Sequence, residues 1–508
     1  MKTKTSLHYS FAKNDSETPS STNGESVVQE ANSRQGEYVY EMPEGLTVRV
    51  RLNANPFNLH PDDLFQMAAR INKKRSFLFV SRILGKHIPV DPHKSLLGGA
   101  ALALLWQRRR AESSSNDGAE IAAREASAYS LEEVCEAIHN DGIAASQLYA
   151  RLQADKLHVE EPALFIAFAE TATALGHAMY DCFAGDTRFL HTTREELVGQ
   201  EPVLSFEEEH SHATAHRCYA REKSFFAGEE SVVLVDDEVT TGNTALNIIR
   251  DLQSKHPRRH YVVASLLDWR GAEDRERFAR LEKELDITID TIALIEGEIE
   301  VEGGPVERLP QPAPDRRNHD GMKLLTHDAS DFFTHLDVSS SDSSGTVSDC
   351  PYLEWTGRFG MYEADNASLS EQVAKASAYL ANQRLGKRTL CMGTGEFMYV
   401  PMRIAAGMGD GVLYQSSTRS PIHVLDQDGY AVRSGFPHTS PDDPGVANFF
   451  YNVPAGQYDE IFVFLERAPI GDRVKPLLNA LEKSGVPVVH LVVTGTGSNE
   501  LNASEGEK

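Results

Sequence analysis

Positive charge is what this chain has least of. Its 508 residues carry 75 Asp and Glu against 50 Lys and Arg, a formal net charge of −25. A protein that grips a nucleic-acid backbone needs a basic face, so this balance argues against nucleic acid as a partner. It does not exclude a small phosphorylated ligand, because a local site can be positive within an acidic molecule. Cysteine is scarce as well. Cys135, Cys182, Cys218, Cys350 and Cys391 are scattered with no CxxC pair, which argues against a zinc site and for a reducing compartment. No apolar run approaches the roughly 18 residues of a membrane span. The N-terminus lacks an apolar signal core. A cytoplasmic protein with no membrane contact is expected.

What remains is ordinary globular composition, 41% hydrophobic and 25% charged, in a chain long enough for two or three domains. Residues 1–36 are rich in Ser, Thr, Asn and Glu and read as a disordered tail. Residues 37–302 alternate strand and helix patterns, most clearly over 160–300, which argues for a parallel sheet with helices on both faces. Residues 303–352 turn to Pro, Gly and Ser (Pro310-Gln311-Pro312, Ser339-Ser340-Ser341) and read as a linker with at most one short element. A second α/β block covers 353–498, and 499–508 is a further tail.

The chain is organised around Val232-Val233-Leu234-Val235-Asp236-Asp237-Glu238-Val239-Thr240-Thr241-Gly242-Asn243-Thr244. Four apolar, β-prone residues read as a buried strand. Two carboxylates follow, then a loop of Thr, Gly and Asn, then the helical spacing of Ala245 to Leu252. Backbone N–H groups at such a helix start can hold a phosphate, and the Thr hydroxyls add donors. Asp236 and Asp237 suit sugar hydroxyls and a hydrated Mg²⁺ beside it. The Gly-Lys-Ser/Thr ending of a Walker loop is absent.

These thirteen residues resemble the phosphoribosyl-diphosphate (PRPP) signature of the type I phosphoribosyltransferases. The resemblance implies that Asp236 and Asp237 hold the ribose hydroxyls and, partly through water, Mg²⁺. It places Thr240, Thr241, Gly242, Asn243 and Thr244 on the 5′-phosphate. The small-residue turn Glu170-Thr171-Ala172-Thr173 falls where that family carries its diphosphate loop; otherwise it is a turn made small for packing. Arg194 could place a guanidinium on the diphosphate or pair with Glu195 or Glu196 at the surface. His210, His212 and His216 fall in the interval of the family's flexible catalytic loop. His212 and His216 also have i, i+4 metal-ligand spacing, and a solvated acidic helix is the third reading. A separate hood over the acceptor is expected within 37–110. Lys86, His87 and Asp268 are the acceptor candidates, with surface charge as the alternative for Lys86.

The second block carries Ser417-Thr418-Arg419-Ser420-Pro421, which resembles the Thr-Arg-Ser-Pro motif of the TRSP domain found after such transferases. With the signature in front, the chain resembles the two-domain family of bacterial tellurite-resistance and stress gene clusters. That resemblance implies a PRPP- and Mg²⁺-dependent transferase making a nucleoside-like metabolite from an unidentified small-molecule acceptor. Its further partners would be a second copy of the chain and other enzymes of the cluster. A PRPP-sensing regulator and a scaffold subunit without turnover stay open, since fold does not fix function. No general base is assigned.

Gly393-Thr394-Gly395-Glu396 lacks the third glycine of a dinucleotide fingerprint, so a Rossmann cofactor is not expected. The landmarks of the first block recur instead. Ala163–Gly176 is matched by 388–395, Thr192-Thr193-Arg194 by Ser417-Thr418-Arg419, Val232–Val235 by Ile461–Phe464, and Tyr261–Leu267 by Pro487–Val493. The second block therefore reads as Rossmann-like, either a divergent copy with the same strand order or an unrelated α/β domain of similar spacing. Gly393, Thr394, Gly395, Glu396, Thr418, Arg419 and Ser420 would line its pocket, suited to an anion. The acidic pair and Thr-rich loop have no counterpart after Phe464.

Overall fold

A computed structural model describes residues 36–71, 75–114, 130–139, 143–159, 161–207, 215–306 and 321–496. Residues 1–35 and 497–508, which hold nearly all of both expected tails, lie outside that set, as do His210 and His212.

The first sheet has eight strands. In chain order they are β1 (Glu37–Met42), β2 (Leu46–Ala54), β3 (Ala163–Ala167), β4 (Thr187–His191), β5 (Ser231–Val239), β6 (His260–Asp268), β7 (Thr288–Glu302) and, from the second block, β9 (Met361–Tyr362). Their spatial order is β1-β2-β7-β6-β5-β3-β4-β9. The five central strands are parallel. Alternate residues of each strand go to different cores: Phe165, Val233 and Val235 to one, Leu164, Ile166, Val232 and Leu234 to the other. A sheet buried on both faces needs the continuous apolar runs these segments have. Each such side chain contributes about 1.5–3 kcal/mol by leaving water.

The second sheet has β8 (Lys323–Asp328), β10 (Thr389–Gly393), β11 (Val412–Ser416), β12 (Glu460–Leu465) and β13 (Val488–Val493), in the order β8-β13-β12-β10-β11 and parallel throughout. Strand β8 arises inside the stretch expected to be linker. From β13 to β11 the order repeats that of β6-β5-β3-β4. Registers repeat too. Ala163 faces Thr187 as Thr389 faces Val412, and Ala163 faces Ser231 as Thr389 faces Glu460.

The helices that bear on the site are α1 (Pro92–Ser114), α2 (Thr173–Tyr180), α3 (Asn243–Lys255), α4 (Ala272–Leu285), α5 (Asp365–Ala381), α6 (Tyr399–Gly407) and α7 (Lys475–Ser484). Helices α2 and α6 each begin ten residues after the start of the matching strand, β3 or β10. One apolar core runs through both blocks. It takes Leu97 and Ala100 of α1, Leu175 and Met179 of α2, and Val400, Met402 and Ile404 of α6.

Within the 37–110 stretch, Phe65–Ala69 and Phe77–Ser81 pair antiparallel as a two-stranded sheet of their own. Strands β1 and β2 extend the main sheet, because β2 pairs antiparallel with the long β7. Helix α1 packs against α2. The halves also exchange their leading segments. Val90 bridges Tyr414 of β11, while β9 pairs with β4 through Met361 and Phe189. Gly85 and Gly357 make these crossings feasible, at φ +64° and +92°. A Cβ on Gly85 would lie 2.7 Å from the Tyr414 ring, and one on Gly357 2.3 Å from the Phe189 ring. Among the described residues no helix is long and apolar enough to cross a membrane.

Candidate functional site

Strand β5 runs past the expected end at Val235, because β6 goes on pairing with it: Glu238 faces Leu267 and Val239 faces Asp268. The acidic residues are therefore held in strand geometry at the carboxyl end of the sheet. Asp236, Asp237 and Glu238 are all partly buried there. The Asp237 N–H donates to Asp236 Oδ1 at 2.9 Å. Burial raises the Asp237 carboxyl, and the charges of Arg75 and Lys86 pull it the other way. Burial also pushes Glu238 up to about 6, against the Arg75 guanidinium paired with it. Arg75 in turn lies 4.8 Å from the Phe77 ring centre.

Thr240, Thr241 and Gly242 make the turn into α3. Gly242 is left-handed at φ +74°, and a Cβ there would come within 2.5 Å of the Phe278 ring. Asn243 and Thr244 open the helix, whose dipole favours an anion at this end, and the Asn243 N–H donates to Thr241 Oγ1 at 3.4 Å. Arg277 of α4 reaches over this turn. It bonds Asn243 Oδ1 and Asp274 and comes 3.4 Å from the Thr241 carbonyl oxygen. Its local pattern is that of any exposed helix, so nothing near it in sequence points to the loop.

The second element of the site is the turn after β3. The Ala169–Glu170 peptide is cis. Thr171 is partly exposed and Ala172 is sealed. Thr173 Oγ1 donates toward the carbonyls of Glu170 and Glu396, at 3.4 and 3.3 Å. Glu170 is 6% exposed and meets three cations from three segments: Lys86 Nζ at 2.8 Å, Arg419 Nε at 3.4 Å and Arg194 Nη1 at 3.8 Å. Burial alone would raise this carboxyl. Lys86, Arg194 and Arg419 outweigh it and hold it down at about 2.

The other candidates fall as follows. Lys86 does not face an acceptor space; it is 1% exposed and also donates to the Gly395 carbonyl at 2.9 Å. His87 is buried, and burial lowers its imidazole to about 3. Asp268 is buried in a pair with Arg270, Nη2 to Oδ2 at 2.7 Å, which removes it from a free acceptor wall. His216 is buried beside Phe206, its Nδ1 2.9 Å from Thr192 Oγ1. That hydroxyl accepts from the Ala169 N–H at 2.8 Å, so His216 braces the Glu170 turn from behind.

In the second half, Gly393, Thr394, Gly395 and Glu396 gather with Thr418, Arg419 and Ser420 at the carboxyl end of its sheet. Ser417 N–H donates to the Gly393 carbonyl, and Gly395 N–H to Ser417 Oγ. Thr394 Oγ1 donates to the Phe464 carbonyl at 3.0 Å. Ser420 Oγ accepts weakly from Arg70 at 3.5 Å. Arg358 fills the space between them. It is 1% exposed and bonds Glu466 Oε2 at 2.8 Å, Glu396 Oε2 at 3.2 Å and Thr193 Oγ1 at 3.3 Å. Glu396 also accepts the Arg194 N–H at 2.8 Å. Arg358 was not legible as a site residue, because its partners lie up to 165 positions away.

Residues 64–298 match the family described as phosphoribosyl transferase, and residues 355–481 match the TRSP domain that lies C-terminal to it. No curated protein matches the chain. Similar solved structures include a hypoxanthine phosphoribosyltransferase from Staphylococcus aureus, 16% identical over 24% of this chain and 60% of that one, with a TM-score of 0.16. Adenine phosphoribosyltransferase from Leishmania donovani is 17% identical over 29% and 61%, at 0.18. That from Giardia lamblia is 14% identical over 30% and 77%, at 0.20. The chain thus spans about three fifths of the length of the first two. It has the two-domain architecture of a phosphoribosyl transferase domain followed by its C-terminal TRSP domain.

Proposed function

We propose that this chain is a PRPP-dependent phosphoribosyltransferase, a glycosyltransferase-type enzyme that joins a ribose 5-phosphate unit to a small acceptor. The observation that carries the reading is one continuous unit. Asp236 and Asp237 lie near the carboxyl end of a buried parallel strand that runs to Val239, and Thr240–Thr244 turn directly into the amino end of α3. In this reading the turn holds the 5′-phosphate, the acidic pair holds the ribose hydroxyls, and the Glu170–Thr173 turn faces the diphosphate. The reaction displaces diphosphate at the ribose C1. Positioned donors would stabilise the charge that develops on the departing group. Asp236 and Asp237 fit Mg²⁺, being adjacent hard carboxylates at a partly exposed strand end. When bound there, Mg²⁺ would neutralise part of the diphosphate charge.

On the family resemblance alone, we place the product among nucleoside-like metabolites made in the cytoplasm alongside other enzymes of a stress-related cluster. The test has two arms. Incubation with PRPP, Mg²⁺ and candidate acceptors should release diphosphate. Asp236→Asn with Asp237→Asn should weaken PRPP binding tenfold or more in titration calorimetry, with the melting temperature kept within a few degrees. Unchanged PRPP affinity in that double variant would remove the assignment. PRPP binding without turnover on any acceptor would favour the sensing role instead.

A further inference from the structure

The two halves place corresponding residues at corresponding points. Glu170 stands seven residues after Ala163, and Glu396 seven after Thr389, the residue at the same register. Arg194 stands seven after Thr187, and Arg419 seven after Val412. Asp237 stands six after Ser231, and Glu466 six after Glu460. The contacts between the halves obey the same correspondence. Glu396 accepts the main-chain N–H of Arg194 at 2.8 Å, and Glu170 accepts that of Arg419 at 3.3 Å. Each carboxylate therefore anchors the arginine turn of the other half.

The two clefts differ in what fills them. In the second half Arg358 closes the space against Glu396 and Glu466, leaving a cavity of about 10 Å³, room for roughly one water. Arg467 adds to the seal, 4% exposed and 3.9 Å from the Tyr352 ring centre. In the first half the surroundings of Glu170 are rich in cations, and Asp237, the counterpart of Glu466, also feels the Lys86 charge. One carboxylate, Glu170, faces Lys86, Arg194 and Arg419. Exposure of these side chains rises in that order, 1%, 14% and 31%, so Arg419 is the one that meets solvent. A cation excess at a cleft mouth calls for an anion.

Resting on the transferase reading above, we propose that the TRSP half completes the first half's cleft: Arg419 binds the diphosphate group of PRPP, with Arg194 behind it. Glu170 then acts as an internal counter-ion. It holds the two guanidinium groups in place before the ligand arrives and yields Arg419 to the more highly charged diphosphate. Lys86, sealed against the Gly395 carbonyl, keeps its bond to Glu170 throughout. The second half contributes a side chain to catalysis without an open cleft of its own among the described residues.

The experiment compares three probes on the full-length protein with Mg²⁺: PRPP, inorganic diphosphate, and ribose 5-phosphate, which lacks the diphosphate. Wild type, Arg419→Ala, Arg419→Lys and the exposed control Arg433→Ala are titrated by calorimetry, with melting temperatures recorded alongside. Arg419→Ala should weaken PRPP and diphosphate about tenfold or more and leave ribose 5-phosphate within twofold. Arg419→Lys should recover part of the loss, and Arg433→Ala should match wild type. Equal weakening of all three probes would show a general effect on the fold and overturn the proposal. So would unchanged diphosphate and PRPP binding in Arg419→Ala when wild type binds PRPP. If wild type binds neither PRPP nor ribose 5-phosphate, the transferase reading falls first and this inference goes with it.

Discussion

Glu170 is a buried carboxylate whose ionised form depends on three cations, and this has a pH signature. Its folded value of about 2 lies below the unfolded value, about 4.3 for Glu. Its contribution to stability is therefore fully present above the unfolded value and is lost as pH falls toward 2. Glu170→Gln should flatten the loss of stability between about pH 4.5 and 2, measured by urea unfolding at stepped pH. A slope equal to that of wild type would show that Glu170 is not held ionised by its neighbours. Gly242 gives a second residue-scale expectation. At φ +74°, with the Phe278 ring where a Cβ would go, Gly242→Ala should cost about 1–3 kcal/mol in unfolding free energy. It should also weaken ribose 5-phosphate binding, because the turn into α3 must shift. At this scale the sequence was informative where chemistry is local. The order Asp-Asp, Thr-Thr-Gly, helix is a contiguous string. It was uninformative for Arg75, Arg277 and Arg358, whose meaning lies in partners far along the chain.

At the scale of elements, the parallel strands and the helix after the signature could be read from apolar runs and 3.6-residue spacing. The end of β5 could not, since Asp236–Val239 stay in the strand only because β6 continues beside them. The pairing of β2 with β7 was not legible for a related reason. Nothing in Leu46–Ala54 says that a fifteen-residue strand waits 242 positions later to pair with it. The landmarks of the second block were placed correctly at Arg194 and Val232 but shifted at the first and last: Ala163 corresponds to Thr389, not Arg388, and Tyr261 to Val489, not Pro487. The exchanged segments give the prediction at this scale. Gly85→Ala and Gly357→Ala each drive a methyl group into an aromatic ring at the crossing and impose a left-handed backbone on alanine. Each should lower stability by about 1–3 kcal/mol by denaturant unfolding. Wild-type stability in both would mean the crossings are not packed as described.

For the molecule as a whole, the shared core is decisive. Helices α1, α2 and α6 contribute to one apolar cluster, and Asp181 of the first half is bound by Tyr399 and Arg403 of the second at 2.7 and 2.6 Å. Two lobes joined in this way should melt together. Scanning calorimetry of the full chain should give one transition, and two separated transitions would oppose this account. The inequality of the lobes bears on how many ligands one molecule can take. A duplicated fold ordinarily suggests two equivalents, yet here one cleft is plugged by Arg358 and its carboxylates while the other borrows Arg419. Saturation should come at one equivalent of PRPP per chain, with a hyperbolic isotherm and no cooperativity between lobes. One lobe has become a permanently attached cosubunit, present at unit stoichiometry whatever the concentration in the cell.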